Sequence, residues 1–379
     1  MPADFGLSPA VFLAAGALAL GPGYLLSLRR FAARRERTGD PESWPAVDAI
    51  VPAHDEARRI EGKIRNLRAL AYPGAIRFWV VDGASADGTR EIAAEAIAGD
   101  PRFSVVAFPI ADKTAQINRA LPLGEAKWVL VTDADARLAP DTITKLVREA
   151  EADASVGAVG TTVRPSGSHP SERLHWGIAD RLRLAEGRRG AASIVTAPCY
   201  LFRREGAVSF PRDVVADDVH AAFRAAASGC RVAFVAADVE EIRNPVSVAE
   251  LVRHKRRKAR AYLREVVRFL PRTAAMTPAA RSVFRWRAAQ MLLGPPVLVA
   301  LGVATLAGVA AADPTARMAA AGAAALLSAS RRARAGAGLA AVLALALLLA
   351  VATLPFRRDR ATFPKIDAAR RGCPDPDLP

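Results

Sequence analysis

The run Val129-Leu130-Val131-Thr132-Asp133-Ala134-Asp135-Ala136 ends an apolar stretch with two carboxylates one residue apart. On an extended strand, residues i and i+2 point to the same face, so Asp133 and Asp135 can converge on one ion. Carboxylate oxygens suit Mg2+ or Mn2+, and Mg2+ keeps waters and borrows substrate phosphates instead of using an all-protein cage. The chemistry suggested is a divalent cation held against a diphosphate. Alone, the tripeptide reads more readily as a turn or a helix cap, so its surroundings decide. A second acidic pair, Asp217-Asp218, stands before an apparent helix from Val219 to Ser228. It reads either as an N-cap or as a proton acceptor.

Between Trp44 and about Leu270, short apolar strands alternate with amphipathic helices, the pattern of an α/β layered sheet. Strands are expected at Val47–Val51, Phe78–Val81, Ser104–Ala107 and Trp128–Thr132, with helices near 57–70, 90–98 and 114–121 between them. Open α/β sheets bind ligands beyond the carboxyl ends of their strands, and Glu56, Asp82, Asp133 and Asp135 all fall at such ends. So many carboxylates at one edge repel unless a cation or cationic partner lies among them. Asp87 is expected to cap the helix that follows it, whereas Asp82 ends its strand and can face a ligand.

The hydrophobic content of 51% is high for a soluble chain, and the excess sits at the two ends. Ser8 to Leu28 is apolar and is followed by Arg29, Arg30, Arg34, Arg35 and Arg37, which reads as a retained anchor with a cytoplasmic basic flank. A cleaved signal would carry its positive charge before the apolar core. Ala288–Ala312 and Ala335–Pro355 are each long enough to span, while Met318–Ala329 is short for it. Three spans place Arg357, Arg358, Arg360 and Lys365 inside at the cost of Arg331, Arg332 and Arg334 outside; four spans reverse that. The expected organisation is an anchor over 1–30, a cytoplasmic α/β domain over 44–245, basic amphipathic interfacial helices over 246–285, a membrane region over 286–356 and a basic tail over 357–379, in a multi-pass protein of the cell's inner membrane.

The net charge of +15 sits largely beside these segments, which favours anionic phospholipid headgroups over nucleic acid, for which no motif is present. Arg253 to Arg260, followed by Tyr262, Leu263, Val266, Val267, Phe269 and Leu270, reads as a helix lying in the membrane interface, with Lys255, Arg256 and Lys258 on headgroups. Cys199, Cys230 and Cys373 show no metal spacing, and no disulfide is implied. The five histidines show none either, with His254 kept as a minor diphosphate candidate.

In order and spacing, several segments together resemble glycosyltransferase family 2 with its GT-A nucleotide-sugar fold. They are Pro52-Ala53-His54-Asp55-Glu56, the Asp82 to Thr89 turn, Lys113 to Asn118, Thr132 to Asp135, Ala216-Asp217-Asp218 and the basic helix. The resemblance implies that Pro52, Glu56, Asp82, Lys113 and Asp133 form the nucleotide site. It implies that Asp135, with Asp133, holds Mg2+ or Mn2+, and that Asp218, with Asp217 beside it, is the base of an inverting displacement. The diphosphate-binding Gln-x-x-Arg-Trp motif of processive members falls on Arg257 to Ala261. There Arg257 and Arg260 remain to meet the diphosphate, but the Trp is Ala261. The implied activity is transfer of one sugar from a nucleotide sugar, expected to be a UDP-sugar, to a lipid-linked or membrane-embedded acceptor. The alternatives are a processive polysaccharide synthase and a non-catalytic nucleotide-binding membrane protein.

Overall fold

A computed structural model describes residues 23–35, 39–168, 170–206, 209–242, 245, 247–311, 314–315 and 317–318. Most of the expected N-terminal anchor, most of Met318–Ala329, the span at 335–355 and the basic tail lie outside the described residues.

Four strands, β1 (Val47–Ala53), β2 (Ile76–Gly83), β3 (Phe103–Phe108) and β4 (Trp128–Thr132), pair in parallel in the order β3-β2-β1-β4. Between them run α2 (Ile60–Arg68), α3 (Thr89–Ala96) and α4 (Lys113–Ala120); α1 (Tyr24–Leu28) precedes the sheet. Both faces of the central strands are covered, so β1 and β4 are nearly continuous in apolar residues, broken in β1 by Asp48, which is buried and paired with Arg204, and alternate residues serve different cores. Val129 and Val131 join Ile50, Val81 and Ile117 on one face, while Trp128 and Leu130 join Ala49, Val51, Ile64 and Leu67 on the other. The order of the strands reverses at β1 and β4, the place where such sheets leave a crevice at their carboxyl ends.

The sheet continues through β7 (Cys199–Arg203), β6 (Val156–Pro165), β8 (Arg231–Glu241) and β5 (Ala136–Leu138), with mixed pairing. Only Asp133 to Asp135 separate β4 from β5 in the chain, yet these strands stand four places apart in the sheet. Flat, that separation would be roughly 19 Å at the usual strand spacing, while the connection reaches at most about 14 Å. The sheet therefore curls, and the aspartate turn lies where the curl closes. Helices α5 (Thr142–Glu151), α6 (Pro170–Gly187) and α7 (Asp217–Ala227) cover this half.

Two further helices follow, α8 (Val248–Phe269) and α9 (Pro278–Ala311). Helix α8 corrects the sequence expectation. Most of its apolar stripe packs on protein, since Leu251, Leu263, Val266 and Phe269 are buried, and only Val267 and Leu270 of the named apolar residues are exposed. Lys255 is likewise no headgroup ligand, being 7% exposed and ion-paired with Glu172 at 2.7 Å. His220 of α7 bonds Glu265 of α8 at 2.7 Å through Nδ1, fastening the two helices together. Within α9, Pro278–Thr305 is long and apolar enough to cross a membrane.

Helices α1 and α9 meet at one buried carboxylate. Glu186 of α6, fully buried, accepts from Tyr24 Oη, from Arg287 Nε at 2.8 Å, and from Ser193 N and Oγ at 3.0 and 2.9 Å. Removing one partner of a buried ion pair leaves the other charge uncompensated. Glu186→Gln is expected to cost about 3 kcal/mol, lowering the melting temperature of the detergent-solubilised chain by roughly 10 °C.

Candidate active site

Helix α4 is the post around which the site is built. Asp112 caps it, its Oδ1 accepting from Ala115 N at 2.9 Å. Gln116 Oε1 accepts from Ala53 N at the end of β1 at 3.0 Å. Asn118 exchanges two bonds with Phe210, at 2.8 and 2.7 Å, and Thr114 Oγ1 donates to Val214 O at 3.2 Å, which steers the chain into α7. Lys113, at the first turn, reaches Asp133 Oδ1 at 2.7 Å and Asp217 Oδ2 at 3.1 Å. One ammonium thus joins the aspartate turn to the acidic pair, which the sequence separates by more than eighty residues.

Asp217 is buried, and its Oδ2 also accepts from Tyr200 Oη at 2.7 Å. Asp218 is less enclosed; its Oδ2 accepts from Ala197 N at 3.0 Å and its Oδ1 from Val219 N at 2.9 Å. Neither occupies the N-cap of α7, which is Ala216; both stand inside its first turn. Burial pushes the Asp218 carboxyl up, the charge of Asp217 adds to this, and Lys113 and Lys258 oppose it. Burial also raises Asp133, to about 6, with Lys113 pulling down and Asp135 and Asp217 pushing up.

The crevice over β1 and β2 is zipped by its own turns. Asp55 N donates to Ser85 Oγ at 2.9 Å and Glu56 N to Thr89 Oγ1 at 2.7 Å, and Ala86 N donates back to Asp55 Oδ1 at 3.0 Å. The N-cap of α3 is Gly88, without a side-chain cap bond; Asp87 stands one residue before it, its Oδ1 accepting from Thr89 N and its Oδ2 from Ala57 N, both at 3.1 Å. Asp82 is 4% exposed, and its Oδ1 is buried with no hydrogen-bond partner, which is unusual for a buried carboxylate oxygen. Among the described residues the non-glycine positions with positive φ are Asp55 and Ala84, on the turns after β1 and β2, and Thr196, which bonds Thr161 O and precedes the Ala197 that meets Asp218. Such strain, about 1–3 kcal/mol each, persists where the surroundings over-determine the loop.

Pro52 lies inside β1 opposite Val81, beyond the last residue paired with β4, so its missing N–H costs no ladder bond there. Glu56 is buried with Arg59 at 3.5 Å. Asp135 stands partly exposed on the turn, and its carbonyl accepts from Ile242 N at 3.0 Å. Arg260 is buried on α8 and Arg257 is half-buried. His254, the minor diphosphate candidate, is driven well below the usual imidazole value by burial and by Lys258, Arg257 and Lys255, so it is neutral and poorly suited to a diphosphate.

The residues implied for a divalent cation fit it. No group of three or more His, Cys, Asp or Glu gathers around one point among the described residues. The pair Asp133 and Asp135 suits an ion that takes its remaining ligands from phosphate and water. Sequence reasoning passed over Lys63 and Glu241. The last lies beside Asp135 at the end of β8, opposite Ala136, and burial raises it to about 7, Lys258 opposing and Asp135 and Asp133 adding to the effect. Its only sequence signal was an acidic pair closing a strand, a pattern too common to single out.

Residues 48–208 match the family described as Glycosyl transferase family 2. An N-acetylglucosaminyltransferase of Mesorhizobium japonicum is 30% identical over 254 residues, covering 61% of this chain and 59% of the relative. Another, from Rhizobium leguminosarum bv. trifolii, is 33% identical over 129 residues, covering 33% of this chain and 70% of the relative. A mannosyltransferase from Pyrobaculum calidifontis, solved in complex with GDP-Man and Mn2+, superposes with a TM-score of 0.74 at 26% identity, covering 92% of this chain and 99% of that one. The chain belongs to glycosyl transferase family 2, and its curled mixed sheet is a GT-A-like α/β fold. It spans 59% of the length of the Mesorhizobium relative.

Proposed function

We propose that this chain is a membrane-bound inverting glycosyltransferase that moves one sugar from a nucleoside-diphosphate sugar to a lipid-linked or membrane-embedded acceptor. The observation that carries the reading is Lys113, whose contacts at 2.7 and 3.1 Å hold the nucleotide-side Asp133 and the base-side Asp217 within one cluster. A single displacement needs those two functions on opposite sides of one anomeric carbon. Asp218 accepts the proton of the acceptor hydroxyl as its oxygen bonds to the anomeric carbon and the bond to the diphosphate breaks. Asp217, held through Oδ2 by Tyr200 and Lys113, keeps the pair in place. When bound, Mg2+ or Mn2+ held by Asp135 and Asp133 neutralises charge on the departing diphosphate. Arg257 and Arg260 add positive charge on that side.

Asp82 orients the nucleoside through its buried Oδ1, with Pro52 and Glu56 shaping that end. Asp82→Ala should weaken binding of UDP or GDP by about tenfold, the scale of one buried hydrogen bond to a charged group. Calorimetry with each nucleotide checks this and shows which base is preferred. We expect UDP; the named relatives transfer N-acetylglucosamine and the structural neighbour was solved with GDP-Man, so both donors belong in the assay.

In this reading the protein is multi-pass in the inner membrane with its catalytic domain in the cytoplasm; the helix Pro278–Thr305 and the apolar segments of the sequence support it. Its basic flanks meet anionic headgroups. Single transfer is favoured because Ala261 offers no stacking surface for a growing glycan. The test is sugar transfer from radiolabelled donors by membranes carrying the chain. Product of one added sugar supports this reading, and a polymer would replace it with a synthase.

A further inference from the structure

The turn that carries Asp133 and Asp135 is pinned at both ends from beneath. Lys63 of α2 is 3% exposed, and its Nζ donates to Thr132 Oγ1 at 2.8 Å and to Ala136 O at 2.6 Å, the residues just before and just after Asp-Ala-Asp. Three positions along the same helix face, Asn66 exchanges both its amide groups with Leu138: Nδ2 donates to Leu138 O at 2.8 Å and Oδ1 accepts from Leu138 N at 2.9 Å. Beyond Lys63 the linkage continues. Thr132 Oγ1 donates to Pro198 O at 2.9 Å, and the same carbonyl accepts from Asp133 N at 3.2 Å. Its neighbour Ala197 is the residue whose N–H meets Asp218.

An ammonium is a costly filler between a helix and a sheet, where a leucine would pack without desolvation. Its two neutral oxygen partners lie on either side of the carboxylates and fix the separation of the turn's ends. Charge-assisted bonds of this kind are stronger and more directional than packing. Asn66 extends the same restraint into β5, a three-residue edge strand with few bonds of its own.

We propose that Lys63, assisted by Asn66, is a positioning residue for cation and diphosphate binding: it holds Asp133 and Asp135 at the spacing that one divalent ion requires. This rests on the transfer reading of the turn. The proposal makes a prediction of opposite sign to simple electrostatics. Removing a positive charge near two carboxylates would by itself tighten cation binding, whereas releasing the turn would weaken it.

The test uses the full chain in detergent, with Mn2+ titrated in the presence of saturating UDP or GDP and backbone hydrogen exchange followed in parallel. Lys63→Met should weaken Mn2+ binding at least tenfold and speed exchange at Ala136 and Leu138, while exchange in β1 and nucleotide affinity without Mn2+ stay within twofold of wild type. Asn66→Ala should move both readouts the same way, by about threefold for Mn2+, and carries the test if the lysine variant does not fold. Unchanged or tighter Mn2+ binding, with unchanged exchange, would overturn the positioning role. A wild-type chain that binds neither nucleotide would overturn the transfer reading on which it rests, an outcome that the variants cannot mimic.

Discussion

Replacing Asp218 with Asn should lower kcat about a thousandfold while leaving nucleotide affinity near that of wild type, within the range that a positioned general base supplies. An asparagine keeps the shape of the side chain, and its one acceptor oxygen can keep the Ala197 amide bond that holds the loop at Pro198, while its NH2 group turns to the side of Val219 N. The pH dependence gives an independent check. Burial first, and then Asp217, raise the Asp218 carboxyl above the ordinary carboxylate range. The base works as its carboxylate, so kcat/KM should fall as pH drops through that raised value, and Asp218→Asn should lose this limb of the profile. A variant that keeps wild-type turnover would assign the proton transfer elsewhere, with Asp217 the first residue to examine.

Lys113→Met should be the most damaging single change to the apo protein at this site. Burial alone would lower the lysine, but Asp133 and Asp217 outweigh it and hold the ammonium above its usual value. A lysine with a raised folded-state value contributes its stability throughout the range below about 10.4, so the loss is present at neutral pH. Lys113 is 15% exposed, and removing it leaves Asp133 and Asp217 facing each other without a counter-charge, an expected cost of about 3 kcal/mol. Adding Asp217→Asn removes one of the opposed charges and should recover part of that loss. A thermal-melt double-mutant cycle is therefore expected to show coupling of roughly 2 kcal/mol. Additive effects would mean that Lys113 does not bridge the two acidic groups.

The parallel half of the fold was legible because strands buried on both faces are apolar without alternation. The four expected strands appear at Val47–Ala53, Ile76–Gly83, Phe103–Phe108 and Trp128–Thr132. The aspartate turn was legible because carboxylates stand out at the end of such a strand. What periodicity does not encode is the partner of an amphipathic face. The stripe of α8 has the same spacing whether it meets lipid or protein, and Leu263, Val266 and Phe269 proved to meet protein. The curl was hidden for another reason, since β5 pairs with the end of β8, more than a hundred residues away. Lys63 was invisible because a lysine in an amphipathic helix ordinarily reads as a solvated residue, and only the curl places Thr132 and Ala136 above it.

The central claim is sugar transfer at the Asp133–Asp135 and Asp217–Asp218 cluster. Its most direct test is release of nucleoside diphosphate from a panel of nucleotide sugars, UDP-N-acetylglucosamine and GDP-mannose among them, by the purified chain with membrane lipid extract and Mn2+. The expected result is turnover of one donor that requires the cation and is lost in both Asp135→Ala and Asp218→Asn. If nucleotide binds but no donor is consumed, the claim is contradicted and the chain is a nucleotide-binding membrane protein without transferase activity.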